Sequence, residues 1–344
     1  MLHLGLDLSR RRIDVCVLDD AGELVTTTSC PPDVDGLRVL AESFAGVGVR
    51  AVVESMTGAR FVHDTLEAHG WWVEIADAQK VKAIAPLAAK TDQIDARVLA
   101  ELSWRDLIPA IWLPDTQIRS MRELGRFRLH LVKHRTALKN RIHATLITHG
   151  RWIPLSDLFG TAGRQALAEL ELPQAWAQTT AVTLEVIDHL DTQIGECVQL
   201  MRPAAQQHPD TALLATLPGV GDILGFTIAS EIGDVTRFPT ATKLVGYTGL
   251  CPRVHQSGDT DRRGPLTKHG PRWLRWAYVE AAIWAARHPA YQPRHQRLTQ
   301  RLGPHRGPKV ARIDTARRLA TASWWMLTKR EPFTPPAPTL PLAA

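Results

Sequence analysis

Apolar and polar positions change period several times along the chain. Residues 2–9, LHLGLDLS, and residues 12–18 read as two strands. The turn-forming DDAGE separates them from a third, ELVTTTS, so the start is a β-meander. VDGLRVLAESFA then switches to helical spacing, and VRAVVES reads as a buried strand ending at Glu54. GARFVHDTLEAHG is a helix with a glycine stop, WWVEIAD another strand, and helical segments run on to about Leu107.

The order βββαβαβα predicts a ribonuclease-H-like sheet, three antiparallel strands followed by parallel ones. From about Pro114 the pattern becomes helical. Met121, Leu124, Phe127, Leu131, Leu138, Ile142 and Leu146 form a long apolar stripe. A second long helix spans about 175–201, where Ile187, Leu190, Ile194, Cys197 and Met201 make a short heptad seam. The two helices are expected to pack as an antiparallel pair, within one chain or between chains. LATLPGVGDILGFTIASEI reads as helix, glycine turn and helix, a helix-hairpin-helix-like unit. The Gly-, Ser-, Asp- and Arg-rich stretch after Cys251 reads as a loop, with a helix beginning near Pro271. EPFTPPAPTLPLAA at the end is Pro-rich and reads as a disordered tail. The expected division is an α/β domain over 1–110, a coiled-coil helical linker over 111–205, a mostly helical domain over 206–330 and a tail over 331–344.

Charge adds a partner class. The 344 residues carry a net charge of +6, and its distribution is uneven. Nine Lys/Arg face one acid between Gln117 and Arg151, and fifteen face four between Arg253 and Arg318. Two such blocks fit a phosphate-bearing partner better than two solvated faces of mixed sign. The positions expected to meet phosphate are Arg126, Lys133, Arg135, Lys139, Arg253, Arg262, Arg263, Lys268, Arg272 and Arg275. No apolar run approaches the ~18 residues of a membrane span. The start has no signal-peptide pattern, and the four cysteines lack metal or disulfide spacing. The expectation is a cytoplasmic, nucleoid-associated protein.

Three groups of residues carry candidate chemistry. In KTDQIDARVLAEL, Asp92 and Asp95 sit three apart and share a helix face. Asp7 lies in the first strand and Glu54 ends the fourth. Any one of these acids alone reads as a cap or a solvated residue. Four in this order repel one another unless a hard divalent ion, Mg²⁺ or Mn²⁺, lies between them. Second, Ser257 sits in a Gly-flanked, Arg-rich segment that suits a phosphate, but no base is evident beside it in the sequence. Third, Trp273 and Trp276 alternate with Arg272 and Arg275; they fit base stacking, although tryptophans at helical spacing, Trp284 included, read as core.

GLDLSR, VVESMTG, KTDQIDARVLAEL, LPGVGDILGFTIASEIGDVTRFPTATKLVGYTGLCP and QSGDTDRRGPLTKHGPRWLRWA carry a resemblance over roughly residues 1–330. They resemble the DEDD-type transposases of the bacterial insertion-sequence family "one-ten", relatives of the Piv-type DNA invertases. The resemblance implies a RuvC-like metal domain with its acids on Asp7, Glu54, Asp92 and Asp95, and a serine nucleophile on Ser257. It also implies a coiled-coil linker supporting a dimer or tetramer, and a structured non-coding bridge RNA pairing with donor and target DNA. Thr267 stands where serine is common and Pro271 where a polar residue is expected. Serine and acids lie about 160 residues apart, so a composite site, from one chain or two, is expected. Two other classes stay open on the residues alone. One is a metal-dependent nuclease or junction resolvase in which water attacks, and the other is a non-catalytic nucleic-acid-binding protein.

Overall fold

The computed structural model describes residues 1–84, 92–257 and 260–335. The chain divides into two units, Met1–Leu113 and Pro114–Ala344.

In the first unit, β1 (Leu2–Leu8), β2 (Ile13–Leu18) and β3 (Leu24–Cys30) form the expected meander. They are followed by α1 (Val34–Ser43), β4 (Val49–Glu54), α2 (Ala59–Ala68), β5 (Trp72–Ala76), α3 (Ala78–Ile84) and α4 (Asp92–Trp104). The strands lie in the order β3-β2-β1-β4-β5, with β4 parallel to β1 and β5 and the other pairs antiparallel. Every residue of β2 is buried, because the sheet is covered on both faces. β3 is exposed except at Cys30, and its threonines give this edge a polar rim.

The two faces carry different helices. Leu4, Leu6, Val15, Ala51 and Val53 pack against Leu37 and Leu40 of α1 and Val62 and Leu66 of α2. On the other face, Val52 and Ala76 meet Leu99 and Leu102 of α4, while Cys16 and Leu18 meet its Ala96 and Ala100. At Gly5 the strand and α4 nearly touch: a Cβ there would lie 1.9 Å from the Ala96 carbonyl oxygen. Only glycine permits that approach.

The second unit is mostly helical. α5 (Thr116–Thr148) and α7 (Gln174–Gln207) run antiparallel, with α6 (Thr161–Ala168) at their turn. Near one end Ile118 and Met121 meet Cys197 and Met201; near the other Ile142 and Leu146 meet Ile187, Leu158 and Leu167. The heptad seam is therefore buried against α5 of the same chain. Leu129 and Gly125, not Phe127, lie on the inner face of α5, and Phe127 is exposed. Phe127 falls about 200° round the helix from Gly125, and the ring of Phe226 covers the inner face there, 3.4 Å from where a Cβ on Gly125 would be. α8 (Pro209–Leu214), α9 (Asp222–Ile232), a 3₁₀ turn at Val235–Arg237 and α10 (Ala241–Tyr247) follow. Next come β6 (Pro252–Ser257), β7 (Thr260–Leu266), α11 (Arg272–Ala285) and α12 (Gln292–Lys329), the last broken at Gly303 before Pro304. Leu214, Ile228, Leu244, Leu274, Tyr278 and Leu319 centre their core.

Two expectations need correction here. The stretch after Cys251 is not a loop: β6 and β7 pair antiparallel from Pro252 opposite Leu266 to Ser257 opposite Thr260. Its side chains are exposed over most of both strands, so the apolar alternation that advertises a strand is missing. Trp284 is not core; it is 60% exposed, while Trp273 and Trp276 are half-buried. Among the described residues no helix is long and apolar enough to cross a membrane, and all four cysteines are free thiols.

Candidate active site

The sheet of the first unit places the candidate acids by register. Leu6 pairs with Val53, so Asp7 and Glu54 stand one step further along two neighbouring parallel strands, at their carboxyl ends. Alternation puts Asp7 on the face of Gly5 and Glu54 on the face of Val52. Both are the face that α4 covers. Asp95 directly precedes Ala96, the residue whose carbonyl abuts Gly5. Asp7, Glu54 and Asp95 are all half-buried. The Asp92 side chain lies outside the described residues. Among the described residues, no three His, Cys, Asp or Glu side chains stand close enough to hold an ion without moving. The donor set is nonetheless all carboxylate oxygen on one face, which is what a hard cation prefers.

The register also brings in an acid that the sequence reading passed over. Asp14 pairs directly with Asp7 across the β1–β2 hairpin and is buried. Two carboxylates opposite each other on one face repel. Arg12 offsets this, its Nε donating to Asp14 Oδ2 at 2.9 Å. The Ser9 hydroxyl fixes the turn, donating to the Arg12 carbonyl and accepting from the Arg12 amide. A cavity of about 350 Å³ beside them is lined by Arg12, Asp14, Cys16, Thr27, Ser29 and Ala96. The signal was present in the spacing: a tight turn centred on Arg10–Arg11 brings residues 7 and 14 opposite each other.

In the second unit Ser257 ends β6 and is exposed, paired with Thr260. The basic residues divide into two sets. Arg126 is turned inward, its Nε and Nη2 donating to the two carboxylate oxygens of buried Glu231 at 2.7 and 2.9 Å. That hydrogen bonding holds its guanidinium above the usual range. Arg122 caps the end of α9 by donating to the Ser230 and Glu231 carbonyls, and burial lowers its pKa. Arg275 donates to the carbonyls of Thr248 and Lys268 and is lowered by burial as well. Arg135 pairs with Asp191, and the Lys139 ammonium lies 4.6 Å from the Phe159 ring centre. These side chains are committed to the fold, which charge counting does not reveal. Lys133, Arg253, Arg262, Lys268 and Arg272 face solvent, Arg272 lying 4.2 Å over the Trp273 ring, which in turn meets His130. The Arg263 side chain lies outside the described residues. The glycine turn before α9 is packed against α11: a Cβ on Gly219 would lie 2.3 Å from the Ala281 carbonyl oxygen.

Two family models match the chain. One, a transposase model of DEDD type for IS110, covers residues 4–149; the other, the transposase IS116/IS110/IS902 family, covers residues 211–299. The chain is 24% identical over 342 residues to the transposase for insertion sequence element IS1111A of Coxiella burnetii, spanning 96% of this chain and 90% of that one. It is 31% identical over 200 residues to the putative transposase y4qE of Sinorhizobium fredii, spanning 58% of this chain and 49% of that one. The pilin gene-inverting protein of Moraxella lacunata is 25% identical over 343 residues, spanning 96% and 97%. With one model on the acid-bearing sheet and α5, and the other on the segment that holds the serine hairpin, the chain belongs to the IS116/IS110/IS902 family of transposases, enzymes of DNA transposition and recombination.

Proposed function

We propose that the chain is a site-specific recombinase of an insertion sequence that cuts and rejoins DNA through Ser257, and that its first unit is RuvC-like. The observation that carries this reading is the register placing Asp7 beside Glu54 on the face covered by the helix of Asp92 and Asp95. Asp7, Glu54, Asp92 and Asp95 would hold Mg²⁺ or Mn²⁺, which would supply charge stabilisation at the scissile phosphate. The hydroxyl of Ser257 attacks that phosphate, and the exposed Arg253, Arg262 and Lys268 hold its oxygens. A structured RNA guides the choice of site, and a dimer or tetramer carries out the exchange. The resemblance of the acid and serine blocks and the exposed basic positions support these further steps.

The test uses the full chain, a supercoiled plasmid bearing the insertion element, and RNA from its flanking region. Wild-type protein yields a covalent protein–DNA adduct on a denaturing gel. Asp95→Asn and Ser257→Ala yield none but keep their salt-dependent binding. Neutralising Arg253 and Lys268 together lowers the slope of log K against log salt by about 2. Cleavage undiminished in Asp95→Asn, or in EDTA, removes the metal from the reading.

A further inference from the structure

A serine hydroxyl attacks phosphorus only when something takes its proton. The strand register supplies a candidate that the sequence concealed. Alternate residues of a strand share a face, and so do directly paired residues of neighbouring strands. His255 pairs with Arg262, and Ser257 with Thr260. His255, Ser257, Thr260 and Arg262 therefore form a two-by-two patch on one face of the β6–β7 hairpin, while Val254 and Gln256 belong to the other. All four are exposed. Two strand residues in this relation have Cα atoms roughly 6.6 Å apart. An imidazole spans most of that gap, so side-chain rotation alone brings a ring nitrogen to hydrogen-bond distance from Ser257 Oγ. The charged residues of the hairpin are Arg253 and Arg262 on this face and, by register, Asp261 and Arg263 at the positions paired with Gln256 and Val254; no other helix or strand packs closely on it among the described residues.

We propose that His255 is the general base for Ser257, with Arg262 as the phosphate clamp beside it; this rests on the reading of Ser257 as the nucleophile. A DNA phosphate settles on the Arg262 guanidinium, which presents paired donors to two of its oxygens. A ring nitrogen of His255 takes the Ser257 proton as the Oγ–P bond forms. The bond from phosphorus to one bridging deoxyribose oxygen breaks, and that oxygen takes a proton from solvent water. In the rejoining step an incoming deoxyribose hydroxyl attacks phosphorus and gives its proton to solvent. The P–Oγ bond breaks, and the imidazolium returns its proton to Oγ. The hairpin is thereby restored with no change of oxidation state. Thr260, opposite the serine, is the remaining hydroxyl on the patch and offers a hydrogen bond to the same phosphate.

The experiment follows single-turnover adduct formation by the full chain on the element-bearing plasmid with flanking RNA, from about pH 5.5 to 9. Wild type, Ser257→Ala, His255→Gln, His255→Ala and Arg262→Lys are compared. His255→Gln forms adduct about 10² to 10⁴ times more slowly, as loss of a general base does. Its rate also depends less on pH than that of wild type. Added imidazole restores part of the rate to His255→Ala and nothing to Ser257→Ala. Gel-shift affinity for the same DNA is unchanged in His255→Gln. If His255→Gln keeps the wild-type rate and pH profile while Ser257→Ala forms no adduct, the base is overturned and the serine stands. If Ser257→Ala still forms the adduct, the serine reading itself falls.

Discussion

The acid-bearing sheet and the serine-bearing hairpin are built in opposite ways. Asp7 and Glu54 project from strands buried on both faces, and α4 is pressed so closely onto β1 that only a glycine fits between. Ser257 projects from a two-stranded ribbon whose neighbouring side chains are exposed. The first arrangement fixes charged groups against their own repulsion, and packing supplies the force. The second holds a neutral hydroxyl that needs no such restraint until a phosphate arrives. Packing is costly to disturb and a solvent-exposed ribbon is cheap to disturb, so the two regions should respond to mutation in opposite currencies, one in stability and the other in chemistry.

The largest expected effect is at Gly5. Gly5→Ala drives a methyl into the Ala96 carbonyl and should cost about 3 kcal/mol or more in a denaturant titration, at the upper end of overpacking penalties. A loss below about 1 kcal/mol would mean that α4 slides easily over β1 and that the rigid half of the contrast is wrong. Next is Arg12→Ala, which leaves buried Asp14 without its guanidinium opposite Asp7. An expected loss of about 1–3 kcal/mol follows from the unsatisfied buried group. Added Mg²⁺ should recover part of it if the cation also offsets that repulsion, and the melting temperature with and without the ion decides. Ser257→Ala, by contrast, should change stability by no more than about 0.5 kcal/mol, as exposed positions generally do. A larger shift by calorimetry would show that the hairpin is packed after all.

The smallest effect concerns thiols. Burial pushes Cys30 up to about 11 from its ordinary 9.0, with Asp33 adding to the shift. A thiol favoured in its protonated form stabilises the fold below about pH 9, and that contribution fades as pH rises towards 11. Cys30 should resist iodoacetamide at pH 8 until the first unit unfolds, while half-buried Cys251, beside the hairpin, reacts first. Mass spectrometry of the native protein reads the order.

Legibility in the sequence follows the same contrast. The first unit announced itself because covered strands must be apolar and helices between them must be amphipathic; β1 to β5 and the order βββαβαβα came directly from that period. The long pair α5 and α7 was legible for the same reason, and the period placed Asp7 in the first strand and Glu54 at the end of the fourth. Phe127 misled because the inner face of α5 follows Met121, Gly125 and Leu129, and the ring that covers the glycine, Phe226, is about a hundred positions away. Charge patterning marked a basic block over α5, but Arg126 had already found Glu231 across 105 residues, and composition carries no sign of such a pairing. The hairpin was missed because both of its faces are polar.

The α5–α7 pair carries a consequence for how the chain tolerates insertions and deletions. Helices of 33 and 34 residues in register give two rods of roughly 50 Å, at 1.5 Å per residue. Removing one residue from either rotates everything beyond it by about 100° and turns Ile142 and Leu146, or Ile187 and Cys197, off the shared seam. Length in this region can therefore change only in near-whole turns taken from both helices together. Of the connection between them, Leu158 and Leu167 are tied into the same core, so gaps between related chains should collect in its exposed stretches on either side, residues 154–157 and 171–173.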